Sequence, residues 1–319
     1  MKKVLIVTPV KEEHKARLEA IGKDCAFVYC PAPEVTEELV QDANIIIGCV
    51  PAEMIRASEK LELLQLHSAG ADPYIVPGVL AKKTILCNAT GAYGKTVSEH
   101  AFALTLMLQK KLHLYRSAQE QKEWTDFGTV RSMSDATVVI AGLGDIGICY
   151  ARMAKALGAT VIGVKRRAGT CPDCVDELVL TEDLDQVLPR ADVVFSILPN
   201  TKQTVHIFNA ERLKLMKPSA ILINCGRGNA IDPDALLNAL RSGTIAACAV
   251  DVTEPEPLPA DSPLWQEPNM VITPHVAGQF HLPYTLERIV DIACENLEKY
   301  LSGDLPLRNE VDFETGYKK

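Results

Sequence analysis

Three ionisable side chains in the second half of the chain have types suited to catalysis. Arg227 and His275 each come directly after a run of mainly apolar residues, and Glu256 lies in the proline-rich segment 251–259 that follows a third run. Ligands of an open parallel sheet bind outside the carboxyl ends of its strands. If the three runs are strands of one sheet, these side chains meet at one edge of it.

This set of side chains suits the reduction of a 2-keto acid by a hydride donor. A guanidinium binds a carboxylate through two hydrogen bonds, so Arg227 can anchor the substrate. Imidazole has an ordinary pKa of about 6.5, which makes His275 a candidate general acid. Glu256 would orient His275 and favour its protonated form. For each residue taken singly there is an alternative. The arginine then forms a surface ion pair, and the histidine has a structural role.

A glycine-rich turn supplies a reason to expect a dinucleotide as the hydride donor. The apolar run 137–141 leads into Gly142, Gly144 and Gly147, and a helical pattern follows, which is the context that a G-x-G-x-x-G needs. The glycines permit the tight turn, the approach of the backbone to a pyrophosphate, and close packing of helix on strand. The helix N-terminus would favour the phosphates. A tight turn without a ligand is the alternative.

The residues at the end of the next apolar run indicate which dinucleotide is bound, NAD or NADP. An NAD site usually has a carboxylate about 20 residues after the first glycine, where it binds the ribose 2′-hydroxyl. This chain has Lys165, Arg166 and Arg167 at that place. Arginine can bind a 2′-phosphate bidentately, whereas an acid would repel it. The sequence therefore favours NADP(H). In the alternative, the basic loop is solvated and NAD(H) binds through other contacts.

Apolar runs and helical patterns alternate along the chain, which predicts an α/β protein of two doubly wound parallel-sheet domains. The residues 96–121 form a long, mainly apolar helix that connects the domains. A last helix, 284–301, is long enough to return to the first domain. Predicted strands lie at 4–8, 26–29, 44–49, 63–66, 137–142, 160–165, 191–198, 220–224, 246–252 and 271–273. Further helices are predicted at 12–21, 36–41, 146–157, 183–188, 209–213 and 233–242.

The composition of the 319 residues excludes several classes of function. A net charge of −8 argues against general binding to nucleic acid or to anionic membranes, which need basic patches. No apolar run reaches the length of about 18 residues that predicts a transmembrane helix. The N-terminal apolar run before Pro9 is interpreted as a buried strand rather than a signal peptide. We therefore expect a cytoplasmic protein.

The ten cysteines fit a reducing compartment better than a disulfide scaffold. Cys49, Cys248 and Cys294 lie in apolar runs, so they are expected to behave as small buried hydrophobes. Cys171 and Cys174 form a C-x-x-C, which is typical of a redox pair or of half a zinc site. No second C-x-x-C or nearby histidine completes a tetrahedral site, so we favour a surface loop and predict no metal.

Five segments resemble the D-isomer-specific 2-hydroxyacid dehydrogenase family. They are Gly226-Arg227-Gly228, Asp251-Val252 with Glu256-Pro257-Leu258-Pro259, Thr273-Pro274-His275-Val276-Ala277-Gly278, Asn88-Ala89-x-Gly91 and Thr96-Val97-x-Glu99-His100. The resemblance implies the reduction of a small 2-keto acid to a D-2-hydroxy acid by NAD(P)H, usually in a homodimer. It also implies a flavodoxin-like substrate domain, split between 1–98 and 285–319, and a Rossmann cofactor domain at 99–284.

Carried over position by position, the resemblance assigns Arg227, Glu256 and His275 as the catalytic triad, with Arg227 and His275 also touching the substrate. After Ser68, the backbone N–H groups of Ala69 and Gly70 would cradle the substrate carboxylate, as a glycine-containing turn can form an anion-binding nest. An ordinary polar loop is the alternative there. The other expected cofactor contacts are Thr96, Asp145, Ile146, Pro199, Cys225, Gly226, Asp251 beside the nicotinamide amide, and Gly278.

Two departures from the commonest family pattern bear on the function. The basic segment 165–167 replaces the usual acidic residue, and Asp145 stands where many members have an arginine that contacts the pyrophosphate. The basic strand end and the segment 262–265 are similar to the glyoxylate/hydroxypyruvate reductase branch. A formate-dehydrogenase-like reaction is less favoured, because that branch has glutamine in place of Glu256. A dinucleotide-sensing binding protein, like the corepressors of this fold, is the alternative from another class.

Overall fold

The computed structural model describes residues 1–313, and the chain folds into two compact units. One unit combines Met1–Tyr93 with the segment that starts at Gln279, and the other is Gly94–Gly278. The predicted boundaries, at 98/99 and 284/285, lie a few residues later. The first of them would cut the helix Gly94–Gln109. A helix is one hydrogen-bonded rod, so it stays whole and belongs to the second unit.

The elements alternate as the hydrophobic pattern predicts. The strands are β1 Lys2–Ile6, β2 Cys25–Tyr29, β3 Ile45–Ile47, β4 Leu63–Gln65, β5 Ile85–Cys87, β6 Thr137–Ala141, β7 Thr160–Lys165, β8 Glu177–Leu180, β9 Val193–Ser196, β10 Ile221–Asn224, β11 Ala247–Val250 and β12 Met270–Ile272. The helices are α1 Glu12–Ile21, α2 Glu37–Asp42, α3 Ala52–Ile55, α4 Gly94–Gln109, α5 Leu112–Gln121, α6 Asp145–Ala156, α7 Leu184–Val187, α8 Ala210–Leu215, α9 Pro233–Arg241 and α10 Pro283–Ser302.

A parallel sheet of order β2-β1-β3-β4-β5 forms the centre of the first unit. This is the order of a flavodoxin-like sheet, so the predicted fold class is confirmed for this unit. Helix α10 packs beside α1, far away in sequence. The buried amide of Asn296 in α10 donates to Gln65 Oε1 at 2.6 Å and to the carbonyl of Arg308 at 2.9 Å. These bonds tie the last helix to β4.

A second parallel sheet, of order β12-β11-β10-β9-β6-β7-β8, forms the centre of the other unit. Counted from β8, it has the strand order of the Rossmann fold with β12 added beside β11, which confirms the second predicted domain class. Every residue of β9, β10 and β11 is buried. Strands covered on both faces carry continuous apolar runs, which is why these three were visible in the sequence.

The structure corrects the predicted elements in three places. The predicted helix 96–121 is two helices, α4 and α5, because the backbone of Lys111 is left-handed, with φ 58°. Strands β5 and β8 were not predicted. The first has three residues, and the second is half-buried along its whole length, so neither has a strong apolar signal. Within residues 1–313, no helix combines the length and apolar character that a membrane crossing needs.

Candidate active site

The three predicted catalytic residues follow three neighbouring strands of the second sheet. Arg227 comes after β10, Glu256 after β11 and His275 after β12, and these strands are parallel, so their carboxyl ends share one edge. The loops touch there. A Cβ atom on Gly228 would lie only 1.9 Å from the carbonyl oxygen of Thr253, so only glycine lets the two loops approach this closely.

His275 and Glu256 form the best-defined pair at this edge. His275 Nδ1 lies 2.6 Å from Glu256 Oε1. A carboxylate only accepts hydrogen bonds, so the proton of this bond belongs to Nδ1, and Nε2 is the ring nitrogen that gains or loses a proton. The two side chains are 52% and 42% exposed, so a ligand can reach them. Their arrangement is that of an acid–base histidine oriented by a carboxylate.

The buried carboxylate of Asp251 fixes the turn that carries His275. Asp251 is 2% exposed and accepts hydrogen bonds from Thr273 Oγ1 at 2.6 Å, from the Val276 N–H at 2.9 Å and from the Ala277 N–H at 3.0 Å. Its own carbonyl accepts the His275 N–H at 2.7 Å. Residues on both sides of His275 are therefore held by one side chain, although His275 has a left-handed φ of 53°.

His100 of α4 extends this network, which sequence reasoning had not predicted. Its Nε2 lies 3.0 Å from Thr273 Oγ1. The hydroxyl proton of Thr273 already points to Asp251, so His100 Nε2–H is the donor in this pair. His100 and Thr273 both stand in segments that resemble the family. Nothing in their residue types shows that they meet, because that depends on the packing of α4 against the sheet.

Asn224 holds the backbone that leads to Arg227. Its buried side chain donates from Nδ2 to the carbonyl of Arg227 at 2.9 Å and accepts the Gly226 N–H at 3.1 Å. The guanidinium Nη1 of Arg227 donates to the Gly226 carbonyl at 2.9 Å. Burial, together with the nearby Asp251 carboxylate, raises the pKa of the Cys225 thiol, so Cys225 stays neutral beside this loop.

The geometry of the glycine-rich turn fits a dinucleotide pyrophosphate. Gly142 has φ 107°, and its N–H donates to the Val164 carbonyl of β7 at 3.2 Å. A Cβ atom on Gly147 would lie 2.2 Å from the Gly142 carbonyl oxygen. A Cβ atom on Gly144 would have no heavy atom within 4 Å, so the space above it is open. The first N–H groups of α6 face that turn without intrahelical acceptors, which suits a phosphate.

Asp145 and Ile146 open α6, but the Asp145 side chain turns toward α4. Its carboxylate oxygens lie 2.7 and 2.9 Å from the place that a Cβ on Gly94 would occupy. Asp145 Oδ2 is buried and has no hydrogen-bond partner among the described residues. The backbone N–H of Asp145, rather than its side chain, is therefore the group that fits a phosphate.

The remaining predicted cofactor contacts line the same edge of the second sheet. Lys165 ends β7, which pairs with β6, and the exposed Arg166 and Arg167 follow it beside the glycine-rich turn. The hydroxyl of Thr96 donates to the Ala277 carbonyl at 3.3 Å, next to Gly278. Pro199 follows β9 in the loop that packs against Gly226.

The predicted carboxylate-binding loop belongs to the first unit and follows β4. Ser68 Oγ donates to the Gly70 carbonyl at 2.7 Å, and Asn88 Nδ2 donates to the Ala69 carbonyl at 2.9 Å. These bonds shape the loop. Within residues 1–313, no acceptor lies in hydrogen-bond range of the Ala69 and Gly70 N–H groups. The loop can therefore offer two donors to an anion, as a nest does.

One group of side chains among the described residues has the spacing of a metal site, namely Glu13, His14 and Glu287. His14 Nδ1 accepts the backbone N–H of Lys11, so Nε2 carries the ring proton and donates to Glu287 at 2.9 Å. The Lys11 ammonium lies 3.5 Å from both carboxylates. The group is thus an ion-pair network in which a cation is already present.

Comparison with known proteins identifies the family. Residues 102–277 match the family model described as D-isomer specific 2-hydroxyacid dehydrogenase, NAD binding domain. The chain belongs to the D-isomer specific 2-hydroxyacid dehydrogenase family. This dehydrogenase is therefore an oxidoreductase that acts on a CH–OH group with a nicotinamide dinucleotide, and the geometry of the glycine-rich turn agrees with such a cofactor.

Relatives of the dehydrogenase include proteins named as reductases. It is 34% identical over 288 residues to a glyoxylate/hydroxypyruvate reductase B of Escherichia fergusonii, with 86% of this chain and 87% of that one covered. A glyoxylate reductase of Thermofilum pendens is 32% identical over 291 residues, with 86% and 84% covered.

Solved structures share the whole fold. A family protein from Aeromonas salmonicida has a TM-score of 0.85 and 33% identity, and covers 98% of this chain and 99% of its own. An NADPH-dependent glyoxylate/hydroxypyruvate reductase from Sinorhizobium meliloti, in complex with NADP and sulfate, has a TM-score of 0.83 and 25% identity, with 99% and 100% covered.

Two glycine substitutions separate cofactor binding from folding. Gly144 has φ −96°, which alanine adopts, and the space above it is open. We expect Gly144→Ala to keep its thermal stability and to bind NADPH about tenfold more weakly or worse, since its methyl group would occupy the pyrophosphate position. Calorimetric titration and thermal unfolding measure the two effects.

Gly147→Ala is the matched control. Its methyl group would meet the Gly142 carbonyl, so we expect a loss of stability of about 1–3 kcal/mol. Equal NADPH affinity in Gly144→Ala and the unmodified protein would contradict the pyrophosphate assignment.

Proposed function

We propose that this dehydrogenase reduces a small 2-keto acid to the D-2-hydroxy acid with NADPH as the favoured donor. The observation that carries the proposal is the 2.6 Å hydrogen bond between His275 Nδ1 and Glu256 Oε1, which orients the ring as a carboxylate orients an acid–base histidine. A histidine oriented by a carboxylate is the arrangement that general acid–base catalysis uses.

Each residue of the proposed mechanism has a task that follows from its contacts. Protonated His275 gives the Nε2 proton to the keto oxygen, and Glu256 stabilises the ring in both states through Nδ1. Arg227 binds the substrate carboxylate and polarises the keto group. The N–H groups of Ala69 and Gly70 are proposed as further donors to that carboxylate. The nicotinamide, when bound, supplies the hydride.

The substrate class follows from the names of the relatives and from the chemistry of the site. The two relatives described above are named as reductases of glyoxylate or of glyoxylate and hydroxypyruvate. Both compounds are small 2-oxo acids whose carboxylate and carbonyl suit an arginine and a histidine. We therefore propose glyoxylate and hydroxypyruvate as the first substrates to test.

A panel of 2-keto acids, each assayed with NADPH and NADH, tests this function. We expect saturable oxidation of NADPH with glyoxylate or hydroxypyruvate. If glyoxylate, hydroxypyruvate, pyruvate and branched 2-keto acids all give no turnover although NADPH binds, the protein is a dinucleotide-sensing binding protein instead.

His275→Gln tests the general acid. Glutamine keeps a hydrogen-bond donor but cannot deliver a proton, so we expect kcat to fall by about 10²–10⁴-fold while NADPH affinity stays within about twofold. Steady-state kinetics and cofactor titration measure this.

His206→Gln is its control, because His206 Nε2 also hydrogen-bonds a glutamate, Glu254, at 2.7 Å in a half-exposed pair. If both variants keep full turnover, His275 is not the acid.

The proposed preference for NADPH is based on Arg166 and Arg167, the basic residues that follow β7. Removing both guanidinium groups, in Arg166→Ala/Arg167→Ala, should weaken NADPH binding by about tenfold or more and change NADH binding little, because only NADPH has the 2′-phosphate. Titration with the two cofactors measures the difference. The exposed Lys214 of α8 gives the control, Lys214→Ala. Equal losses for both cofactors would reject the assignment.

We also propose that the dehydrogenase is a homodimer. Helix α5 and the segment after it expose Leu112, Trp124 and Val130, and Trp124 is fully exposed. Large apolar side chains clustered on one segment indicate an interaction surface. Sedimentation should therefore give twice the mass of the chain. Trp124→Ser should weaken the dimer, whereas Trp265→Ser, at the other tryptophan, should not. A monomer at micromolar concentration would contradict this proposal.

A further inference from the structure

The segment 309–311 lies along β5, at one edge of the first sheet. The Val311 N–H donates to the Leu86 carbonyl of β5 at 2.8 Å. The Asn88 N–H, just after the end of β5, donates to the Asn309 carbonyl at 3.2 Å. Asn309 therefore lies beside the loop that follows β5.

The side-chain amide of Asn309 binds two backbone carbonyls of this loop. Its Nδ2 donates to the carbonyl of Thr90 at 2.7 Å and to that of Asn88 at 3.2 Å. A primary amide has two N–H donors, so both of them are used. The backbone of Asn309 is left-handed, with φ 56°, a conformation that asparagine adopts more readily than most residues. An asparagine at this place thus supplies both the backbone shape and the two donors.

The residues on both sides of Asn309 are fixed as well. The Arg308 N–H donates to Asn296 Oδ1 at 2.8 Å, and the Arg308 carbonyl accepts a hydrogen bond from Asn296 Nδ2 at 2.9 Å. Asn296 belongs to α10, and its side chain and that of Val311 are fully buried. Asn309 is therefore held between α10 and β5, so its amide is a fixed point for the loop after β5.

The loop after β5 in turn binds two carbonyls of the carboxylate-binding loop, which follows β4. The Ala89 N–H donates to the Ser68 carbonyl at 2.9 Å, and Asn88 Nδ2 donates to the Ala69 carbonyl at 2.9 Å. Asn88 is 4% exposed, and its Oδ1 accepts the Thr90 N–H at 3.0 Å, which fixes the orientation of its amide. Neighbouring residues of one loop therefore hold neighbouring carbonyls of the other.

The planarity of the peptide bond makes these contacts orient the two proposed anion donors. In a trans peptide unit the C=O of one residue and the N–H of the next point in opposite directions. The Ser68 carbonyl shares its unit with the Ala69 N–H, and the Ala69 carbonyl shares its unit with the Gly70 N–H. Because both carbonyls point to the loop after β5, both N–H groups point away from it, as a pair of donors to one anion requires.

The same geometry connects Asn309 to the first of these donors. The Asn88 carbonyl, which Asn309 binds, shares its peptide unit with the Ala89 N–H. That N–H binds the Ser68 carbonyl, whose unit carries the Ala69 N–H. Two peptide units in series thus connect the Asn309 amide to the Ala69 donor, and hydrogen bonds in such a chain polarise one another.

We propose that Asn309 is a positioning residue for recognition of the substrate carboxylate. Acting through the loop after β5, its amide sets the direction of the Ala69 and Gly70 N–H groups. The proposal rests on the proposed function, in which these N–H groups bind the 2-keto acid. Loss of the amide should weaken binding of the acid and leave proton transfer and cofactor binding unchanged, because His275 and the glycine-rich turn follow strands of the other sheet.

Asn309→Gly tests the proposal in the full-length protein. Glycine keeps the left-handed backbone and removes both donors. We expect the KM for glyoxylate or hydroxypyruvate to rise about tenfold, while kcat and NADPH affinity stay within about twofold, because the lost binding is the same in the ground state and the transition state. Steady-state kinetics and cofactor titration measure the three quantities.

Asn44→Ala is the matched control, because Asn44 also joins segments of the first unit through its side chain. It accepts the Lys3 N–H at 2.9 Å and donates to the Lys60 carbonyl at 3.4 Å, and it precedes β3, at the opposite end of the strands. Its KM should stay that of the unmodified protein. An unchanged KM in Asn309→Gly, or an equal rise in both variants, would overturn the proposal.

Hydrogen exchange tests the chain of hydrogen bonds without turnover. In Asn309→Gly the Ala89 N–H should exchange about tenfold faster, because its peptide unit is no longer held, whereas Asn44→Ala should leave its rate unchanged. If the chain has no reductase activity, the proposed function fails, but this measurement still decides about Asn309. An Ala89 rate that is the same in Asn309→Gly and the unmodified protein would refute its positioning role.

Should Asn309→Gly fail to fold, the unmodified protein decides. Oxamate, an unreactive analogue of a 2-keto acid, is added to the NADPH-loaded protein. It should slow exchange at the Ala69 and Gly70 N–H groups and, through the chain of hydrogen bonds, at Ala89. Slower exchange at Ala69 and Gly70 alone would overturn the role of Asn309. No change at any of the three would reject the carboxylate site itself, and the proposal with it.

Discussion

The burial of one carboxylate, that of Asp251, is the constraint on which the candidate active site depends. A charge removed from water is tolerated only when its oxygens are fully hydrogen-bonded. Asp251 receives the Thr273 hydroxyl and the Val276 and Ala277 N–H groups, and hydrogen bonds to a charged group contribute about 1.5–3 kcal/mol each. The need to satisfy this side chain closes the turn around His275 and holds its left-handed backbone.

The same physical rule places polar side chains at one edge of both sheets. Parallel strands that are covered on both faces have apolar interiors, so polar side chains gather where the strands end. In the second sheet the carboxyl ends bring together the glycine-rich turn, the loop of Arg227 and the His275–Glu256 pair. In the first sheet they bring together Cys49, His67 and the loop after Ser68. In each sheet the polar side chains therefore lie at the carboxyl edge.

Much of this could be predicted from the sequence, for reasons that are specific to the elements. Apolar runs such as β7 and β10 predicted buried strands, and the glycine spacing predicted the turn before α6. Arg227, Glu256 and His275 could be singled out because each follows an apolar run that forms a strand of the second sheet. The roles assigned to them, to the cofactor contacts and to the Ser68–Gly70 loop stay predictions that the experiments above address.

What the sequence could not show depends on partners that are distant along the chain. Cys49 packs against the apolar core of the first unit, as its apolar run predicted, but its contact with Ser68 Oγ, 3.4 Å from the sulfur, depends on the pairing of β3 with β4. The hydrogen bond of His100 to Thr273 depends on how α4 packs. The break at Lys111 has no glycine or proline to mark it, because the left-handed residue there is a lysine.

The most direct test of the central claim is the transfer of the hydride itself. NADPH that is stereospecifically deuterated at the nicotinamide C4 is incubated with hydroxypyruvate and a molar excess of the protein, and the product is analysed by mass spectrometry and chiral chromatography. The site described here predicts D-glycerate with deuterium at C2. The result that would contradict the proposed hydride transfer is that NADPH binds but no deuterium, from either face of the nicotinamide, appears in the product of hydroxypyruvate, glyoxylate or any other 2-keto acid.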